Sequence, residues 1–300
     1  MTSPSAILQA VIPYFTIPDG HLGPLPIHPF GLLVATGIIV GHRLAMSRAA
    51  VLGLDLEKFE KLVFWTVLTG IVLSHMLDTI FYHPETLREN PLELFMIHHG
   101  LSSFGGFFGA AIGYFVYSRI HKVDVWRSAD AIAYGLPVGW FFGRTGCTVV
   151  HDHPGHPSNS ALAMHFPARP QLHLPEGNYF DLGLLELMMT PILVIAAFIV
   201  ASRTKKPGAV IATITLLYPP IRFPLDYLRQ PDPNGGDVRY FGFTPGQYAC
   251  ILCFLLGLYI LKRTWSLPSE EPKKPEPPAS KSGETPRVAK KKAAPKKAEA

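Results

Sequence analysis

Three short stretches gather the side chains whose types and spacing suit chemistry. Gly143 to Gly155 reads GRTGCTVVHDHPG, which sets an arginine, a thiol, two histidines and a carboxylate where an apolar run gives way to a polar loop. A charged residue near the middle of a bilayer costs about 2.5–3.5 kcal/mol on insertion scales, so it faces a protein-lined cavity and marks a substrate path. The forked donors of a guanidinium bind two phosphate oxygens at once. Arg144, between Gly143 and Gly146, therefore reads as a phosphate ligand or as half of an ion pair inside a bundle. Tyr218 to Gly236 reads YPPIRFPLDYLRQPDPNGG. On a helix, Arg222, Asp226 and Arg229 share one face at i, i+4 and i+7. Two guanidiniums then flank one carboxylate, as a second anion cradle or as a structural network, although Pro219, Pro220 and Pro224 threaten the helix. Ile97 to Ala110 reads IHHGLSSFGGFFGA, in which His98 and His99 precede Ser102, Ser103 and the Gly105-Gly106 pair at a membrane boundary. Small residues there allow close approach of a neighbouring helix or a lipid headgroup.

The elements that position these stretches are read from the apolar runs. Hydrophobic residues form 48% of the 300-residue chain and charged residues 16%, which points to several membrane spans and away from a soluble domain. Runs of bilayer length cover Pro29–Met46, Leu62–Tyr82, Gly100–Ile120, Ala129–Val149, Leu182–Ala201, Gly208–Tyr227 and Thr244–Leu261, which gives seven helices. Arg43, Arg48, Lys58 and Lys61 follow the first, Arg119, Lys122 and Arg127 the third, Arg203, Lys205 and Lys206 the fifth, and Lys262 and Arg263 the seventh. The positive-inside rule puts all four segments in the cytoplasm. The N-terminus and the rim at His151 are then outside, and the C-terminus is cytoplasmic. The expected class is an all-α polytopic protein of a bacterial inner membrane. It has an outer-surface arm over 1–28, a seven-helix domain over 29–265 with a periplasmic loop or lid at 151–181, and a disordered Lys/Pro/Ala-rich tail over 266–300.

Composition also sets aside other classes. The net charge of +5 is concentrated in that tail and in short loops, so nucleic acid is a poor partner. Cys147, Cys250 and Cys253 make no disulfide framework, and the CxxC of the last two lies in an apolar helix, where thiols pack as small hydrophobes. His151, Asp152, His153 and His156 have the residue types of a zinc site, yet one tight cluster does not supply a metal geometry, and no metal is expected. They remain general bases or solvated loop residues. A histidine-rich metal-binding protein or an anion transporter is the competing class. The two halves show no inverted repeat of the transporter kind.

Taken together, HHGLSSFGG, GRTGC with its turn to Gly155, RFPLDYLRQPD and TPGQ (Thr244–Gln247) resemble, in order and spacing, the bacterial phosphatidylglycerol–prolipoprotein diacylglyceryl transferases, from about Ile27 to Leu261. The resemblance implies seven spans with the N-terminus outside. It also implies transfer of a diacylglyceryl group from phosphatidylglycerol to the lipobox cysteine thiol of a preprolipoprotein, with a thioether formed, glycerol phosphate released and no cofactor. It makes Arg144 the phospholipid-binding arginine and Arg229 the essential arginine before Pro231-Asp232. Gly105, Gly106, Gly143, Gly146, Gly155 and Arg222 also match, and Ser103 joins the expected substrate-binding set. Four positions depart from the family pattern. Phe104 replaces a histidine, Cys147 an asparagine, Phe30 a tyrosine, and Val150-His151-Asp152 an NGE-like triplet. A divergent paralogue serving another acceptor is therefore the alternative.

The chemistry needs a thiolate, from a thiol with an ordinary pKa near 8.5, and a stabilised leaving phosphate. Arg144 and Arg229 take the phosphate role. In place of the family histidine, His151 is the first choice of base because it lies on the rim beside Arg144, with His153, Asp152, His98 and His99 as alternatives.

Overall fold

The structure, a computed structural model, describes residues 12–22, 25–82, 84–95, 102–170, 174–230 and 239–267. It is mostly helical. The long helices are α1 (Pro29–Val51), α2 (Leu56–Tyr82), α4 (Ser103–His121), α5 (Val125–Val150), α6 (Leu182–Arg203), α7 (Ala209–Leu225) and α8 (Pro245–Ser266), with a short α3 (Pro84–Glu89) after α2. Four have the length and apolarity to cross a membrane: Pro29–Val51, Leu56–Ile80, Leu182–Arg203 and Pro245–Ser266. His98, His99, Pro231, Asp232 and the tail from 268 onward lie outside the described residues.

Several helices begin where a polar side chain takes up free backbone N–H groups. Asp124 accepts from Trp126 and Arg127 to start α5, and Asp181 accepts from Leu184 to start α6. Thr244 and Gln247 form a reciprocal capping box on α8. Helix α7 continues through Pro219, Pro220 and Pro224 and then tightens into a 3₁₀ turn, Asp226–Leu228. That turn keeps Arg222, Asp226 and Arg229 together.

Small residues set the closest pairings. Gly37 and Gly41 of α1 lie against Gly135 and Gly139 of α5, where a Cβ on Gly37 would stand 2.7 Å from the Gly139 carbonyl oxygen. Along α4, Gly105, Gly109 and Gly113 lie on the backbone of α2 in the same way. The α2–α4 pair joins the bundle through an apolar cluster of Ala45, Ala49, Leu52, Phe59, Leu62, Tyr117 and Ala131. Elsewhere large apolar side chains such as Leu32, Trp65, Phe108, Ile195 and Leu252 point outward, the surface a bilayer would cover.

Helix ends are tied across the bundle at the end where the basic loops gather. Buried Arg48 donates to the carbonyls of Ala201 and Thr204, both at 2.9 Å, and closes the C-terminus of α6 from α1. Arg48 is therefore a helix cap, where the sequence reading makes it a loop charge. Buried Asp130 on α5 accepts from the N–H groups of Gly208 (2.8 Å) and Ile211 (2.9 Å) and closes the N-terminus of α7.

The opposite end carries β structure, so an all-α description is too simple. β1 (Gly20–Leu22) and β2 (Leu25–Ile27) form an antiparallel hairpin before α1. β3 (Pro154–Pro157), β4 (Ala163–Phe166) and β5 (Gly177–Asp181) form an antiparallel sheet in the order β3-β5-β4 within the 151–181 loop. Met164, Phe166, Leu174 and Tyr179 give this sheet its own core. The arm packs on that core through Ile12, which bridges Met164, and through Tyr14. Arm and loop thus make one cap.

Candidate active site

The ends of α5, α6 and α7 converge beneath this cap. Arg144 sits one and a half turns before the end of α5, and its Nη2 lies 2.7 Å from Glu186 Oε2 on α6. The other oxygen of Glu186 is 3.1 Å from Arg222 Nε on α7. Arg222 Nη2 reaches Asp226 Oδ1 at 2.6 Å, and Arg229 Nε approaches the same oxygen at 3.3 Å. The result is a ladder, Arg144–Glu186–Arg222–Asp226–Arg229, in which three guanidiniums meet two carboxylates.

Burial grades along the ladder. Asp226 is 1% exposed and Glu186 6%, whereas Arg144 is 16% and Arg229 23% exposed. The carboxylates are held inside and the two outer guanidiniums face outward. Asp226 also accepts from the hydroxyl of Thr244, and Gln247 donates to the Phe223 carbonyl at 3.3 Å, so the start of α8 braces the lower ladder. Trp140 lies under Arg144, with the guanidinium carbon 5.4 Å from its ring centroid. Beside Glu186 and Arg222, a gap of about 10 Å³ is walled by Trp140, Met189, Tyr218 and Leu225, the room of one water at most.

The rim is built around His151, a non-glycine residue in the left-handed region at φ 51°. Such a backbone costs about 1–2 kcal/mol, which its contacts offset. The ring is fully buried, with Nδ1 2.5 Å from Asp181 Oδ2 and Nε2 2.6 Å from the Phe15 carbonyl oxygen. Arg169 donates to the Val150 and His151 carbonyls at the end of α5 and to the Tyr14 hydroxyl. The turn at His151 folds the next residues back over the last turn of α5. His153 Nδ1 lies 2.5 Å from Asp152 Oδ1, and both side chains are about one-third exposed. Cys147, half-buried, completes a group in which one ligand atom each from Cys147, Asp152 and His153 lie within 4.8 Å of one another. Cys147 Sγ is 3.8 Å from Arg144 Nη1, so this group adjoins the ladder.

Comparison with known proteins gives the family. The family described as prolipoprotein diacylglyceryl transferase matches residues 20–263. The chain belongs to this family. A phosphatidylglycerol–prolipoprotein diacylglyceryl transferase of Nitratidesulfovibrio vulgaris is 32% identical over 248 residues, covering 81% of this chain and 91% of the relative. The enzyme of the same name from Acinetobacter baumannii is 31% identical over 252 residues (80% and 89%), and that from Chromohalobacter salexigens 29% over 251 residues (82% and 90%).

Within this transferase framework, the residues expected from sequence fall into distinct places. Arg144, Arg222 and Arg229 come together, the first two joined by Glu186 and the last two by Asp226. No sequence motif pointed to Glu186, although it is the lone acid inside the apolar run 182–201, and the rule that singles out Arg144 applies to it equally. His151, the first choice of base, is placed as a joint between arm, α5 and α6. Both of its nitrogens lie against oxygen atoms, of Asp181 and of the Phe15 carbonyl, so neither is open to a substrate. His153 and Asp152 occupy the open rim, and His156 lies apart from them on β3.

The glycines divide as well. A Cβ on Gly143 would meet open space, and one on Gly146 would press on the Phe30 ring at 2.9 Å. On Gly155 it would stand 2.6 Å from the Leu228 carbonyl, and Gln230 Nε2 donates to the Gly155 carbonyl at 3.0 Å, so this glycine seats β3 on the Arg229 segment. Gly105, expected to bind substrate, is buried against α2, its Cβ position 2.6 Å from the Leu73 carbonyl. Gly106 faces Ser74 at ordinary contact distance. Ser103 opens α4, and its neighbour Ser102 caps it by accepting from Gly105 N at 3.4 Å. His75, outside every sequence motif, is fully buried in α2 with Nε2 3.0 Å from the Glu93 carbonyl oxygen.

Proposed function

We propose that the arginine–carboxylate ladder holds the phosphate of phosphatidylglycerol while its diacylglyceryl group passes to the lipobox cysteine of a preprolipoprotein. The chain is a diacylglyceryl transferase of this kind. In the reaction the cysteine sulfur attacks the diacylglycerol carbon that carries the phosphate ester. An S–C bond forms, the C–O bond breaks, and glycerol phosphate leaves with the electron pair on oxygen. The single observation that carries the proposal is the convergence of three guanidiniums on two buried carboxylates, with Arg144 and Arg229 kept partly open. The carboxylates orient the guanidiniums, and the open faces of Arg144 and Arg229 are directed to where the leaving phosphate develops its charge. Bidentate donors on Arg144 and Arg229 suit such an anion, and Arg222 locks the two together.

The acceptor thiol is activated on the other side of Arg144, at the exposed Asp152 and His153. Of the four departures from the family pattern, those at Phe30, Cys147 and Asp152 bear on this half of the site more than on the ladder. Phe30 fills the space over Gly146, and Cys147 stands between Arg144 and the Asp152–His153 pair.

Seven helices, α1, α2 and α4–α8, cross the inner membrane in this account, with the N-terminus and the β-sheet cap outside and the C-terminus in the cytoplasm. Support comes from the basic segments. Lys58 and Lys61, Arg119 and Lys122, Arg203 and Lys205, and Arg263 occupy the end of the bundle at which Arg48 and Asp130 tie the helices, the arrangement of a cytoplasmic face. Phospholipid then reaches the ladder from the bilayer and the precursor arrives at the rim from outside.

The test uses the full-length protein in vesicles of phosphatidylglycerol with a synthetic lipobox peptide, followed by mass spectrometry. The account expects a diacylglyceryl thioether on the peptide cysteine. Absence of product from well-folded protein with several lipobox peptides, together with a product on another acceptor, would overturn it in favour of the divergent paralogue.

A further inference from the structure

We propose that Cys147, Asp152 and His153 bind a divalent metal of the zinc class, and that the open fourth position of that metal takes up and deprotonates the acceptor thiol. The inference rests on the transferase reading and deepens it. A metal-bound thiol is ionised outright, so such a site supplies thiolate without a separate general base. In the described residues no histidine combines a free nitrogen with a place inside the ladder, and His151, the first choice, is held at both nitrogens.

The ligand set is built by the fold. Asp152 and His153 would run away from Cys147 if α5 simply continued or frayed. The left-handed turn at His151, pinned by Asp181 and the Phe15 carbonyl, brings them back over the last helical turn, where Cys147 lies. Their donor atoms already lie within 4.8 Å of one another. Zinc–ligand bonds of about 2.0–2.3 Å require donors roughly 3.3–3.8 Å apart, so side-chain rotation suffices to close the set. Thiolate and imidazole are the soft and borderline donors that favour zinc or cobalt over magnesium or calcium. One thiolate, one carboxylate and one neutral imidazole carry two negative charges, which a divalent ion balances. Three protein ligands with one position open is the pattern of zinc sites that do chemistry.

Position relative to the ladder makes the set useful. Cys147 Sγ lies 3.8 Å from Arg144 Nη1, so a metal on Cys147 adjoins the arginine that holds the phosphate, and an acceptor thiolate in its open position is brought to the same side of the site as the carbon to be attacked. The step balances without an oxidant or reductant. The acceptor thiol loses its proton to water as sulfur binds the metal, sulfur attacks carbon, and the phosphate oxygen leaves to the ladder. The thioether that results is a weaker ligand than thiolate and departs. Sequence alone grouped His151, Asp152, His153 and His156 and expected no metal. The fold removes His151 and His156 from that group and adds Cys147.

The experiment is a cobalt titration of the full-length protein in detergent, with Zn²⁺ as competitor. The expected result is one Co²⁺ per chain with a thiolate-to-cobalt charge-transfer band that Zn²⁺ bleaches. Cys147→Ser abolishes the band, His153→Gln weakens Co²⁺ binding by about tenfold or more, and His156→Gln changes neither. Adding lipobox peptide strengthens the band, and the peptide with serine in place of cysteine does not. Zn²⁺ also slows alkylation of Cys147 in the unmutated chain, a readout independent of variant folding. A band that survives Cys147→Ser, no stoichiometric cobalt binding, or full-rate transfer by chelator-stripped protein would each overturn the proposal, the last leaving the transferase reading intact. Cobalt binding and peptide entry without any product from phosphatidylglycerol would uphold the site and refute that reading instead.

Discussion

Arg48 and Asp130 at one end of the bundle, and the five-residue ladder at the other, are both sets of charges buried among apolar helices. They differ in what answers them. Arg48 donates to two carbonyls at the end of α6, and Asp130 accepts from two N–H groups at the start of α7, so each is used up on a helix terminus. Their opposite signs cancel. In the ladder the partners are side chains on three different elements, and Arg144 and Arg229 retain exposure. Burial alone therefore does not mark function in this molecule. What sets the ladder apart is that side chains answer side chains where three helices converge, with two guanidiniums partly open, the arrangement proposed above as an anion site.

Mutations at the two ends should separate accordingly, and the ladder gives the largest effect. Arg144→Ala and Arg222→Ala are each expected to lower transfer by at least about 100-fold, and Arg229→Ala similarly, with the protein still inserted. Transfer at the wild-type rate per inserted molecule in these variants would dissolve the distinction. On the rim, His153→Ala should cost about 10²- to 10⁴-fold in rate with little change in melting temperature. His151→Ala should do the reverse, since it unpins Asp181 and the arm. A rate loss without destabilisation in His151→Ala would return that residue to the chemistry.

Next in size is the structural end. Asp130→Ala removes two backbone hydrogen bonds and the cap of α7, which is expected to destabilise by about 1–3 kcal/mol. Thermal unfolding in detergent measures it, and the rate per folded molecule should stay close to wild type. The smallest effect is at His165 on β4. Hydrogen bonds to Asn178 and then Glu176 raise its pKa above the ordinary histidine value. The fold thus favours the protonated ring, contributing stability that is complete below about pH 6.5 and lost as pH rises through the raised value. Because the ring is fully exposed, melting should scarcely respond, but an NMR titration of His165 should show the raised midpoint, and Glu176→Gln should lower it. An unshifted midpoint would remove this contact from the account of the cap.

Much of the helical layout was legible because a bilayer imposes one strong constraint, a long apolar run, and the runs predicted from sequence begin and end within about two turns of the observed helices. Arg144, Arg222 and Arg229 were legible for the complementary reason, that a cation inside such a run is costly. Glu186 escaped because a lone acid in an apolar run has no motif around it, and its role exists only through two arginines on other helices. The β-sheet cap escaped because its strands are short, lack regular alternation and are interrupted by proline and histidine. The buried setting of His151 was not legible because its neighbours in sequence are polar, whereas its neighbours in space are Asp181, Tyr14, Phe15 and Phe166.

The most direct measurement places Arg222→Ala and Asp130→Ala side by side in a strain depleted of its own diacylglyceryl transferase, at matched membrane levels, and reads the lipobox cysteine by mass spectrometry. The account predicts a diacylglyceryl thioether with the wild-type chain and with Asp130→Ala, and none with Arg222→Ala. Modification that persists in Arg222→Ala, or that is lost equally in both variants, would contradict it.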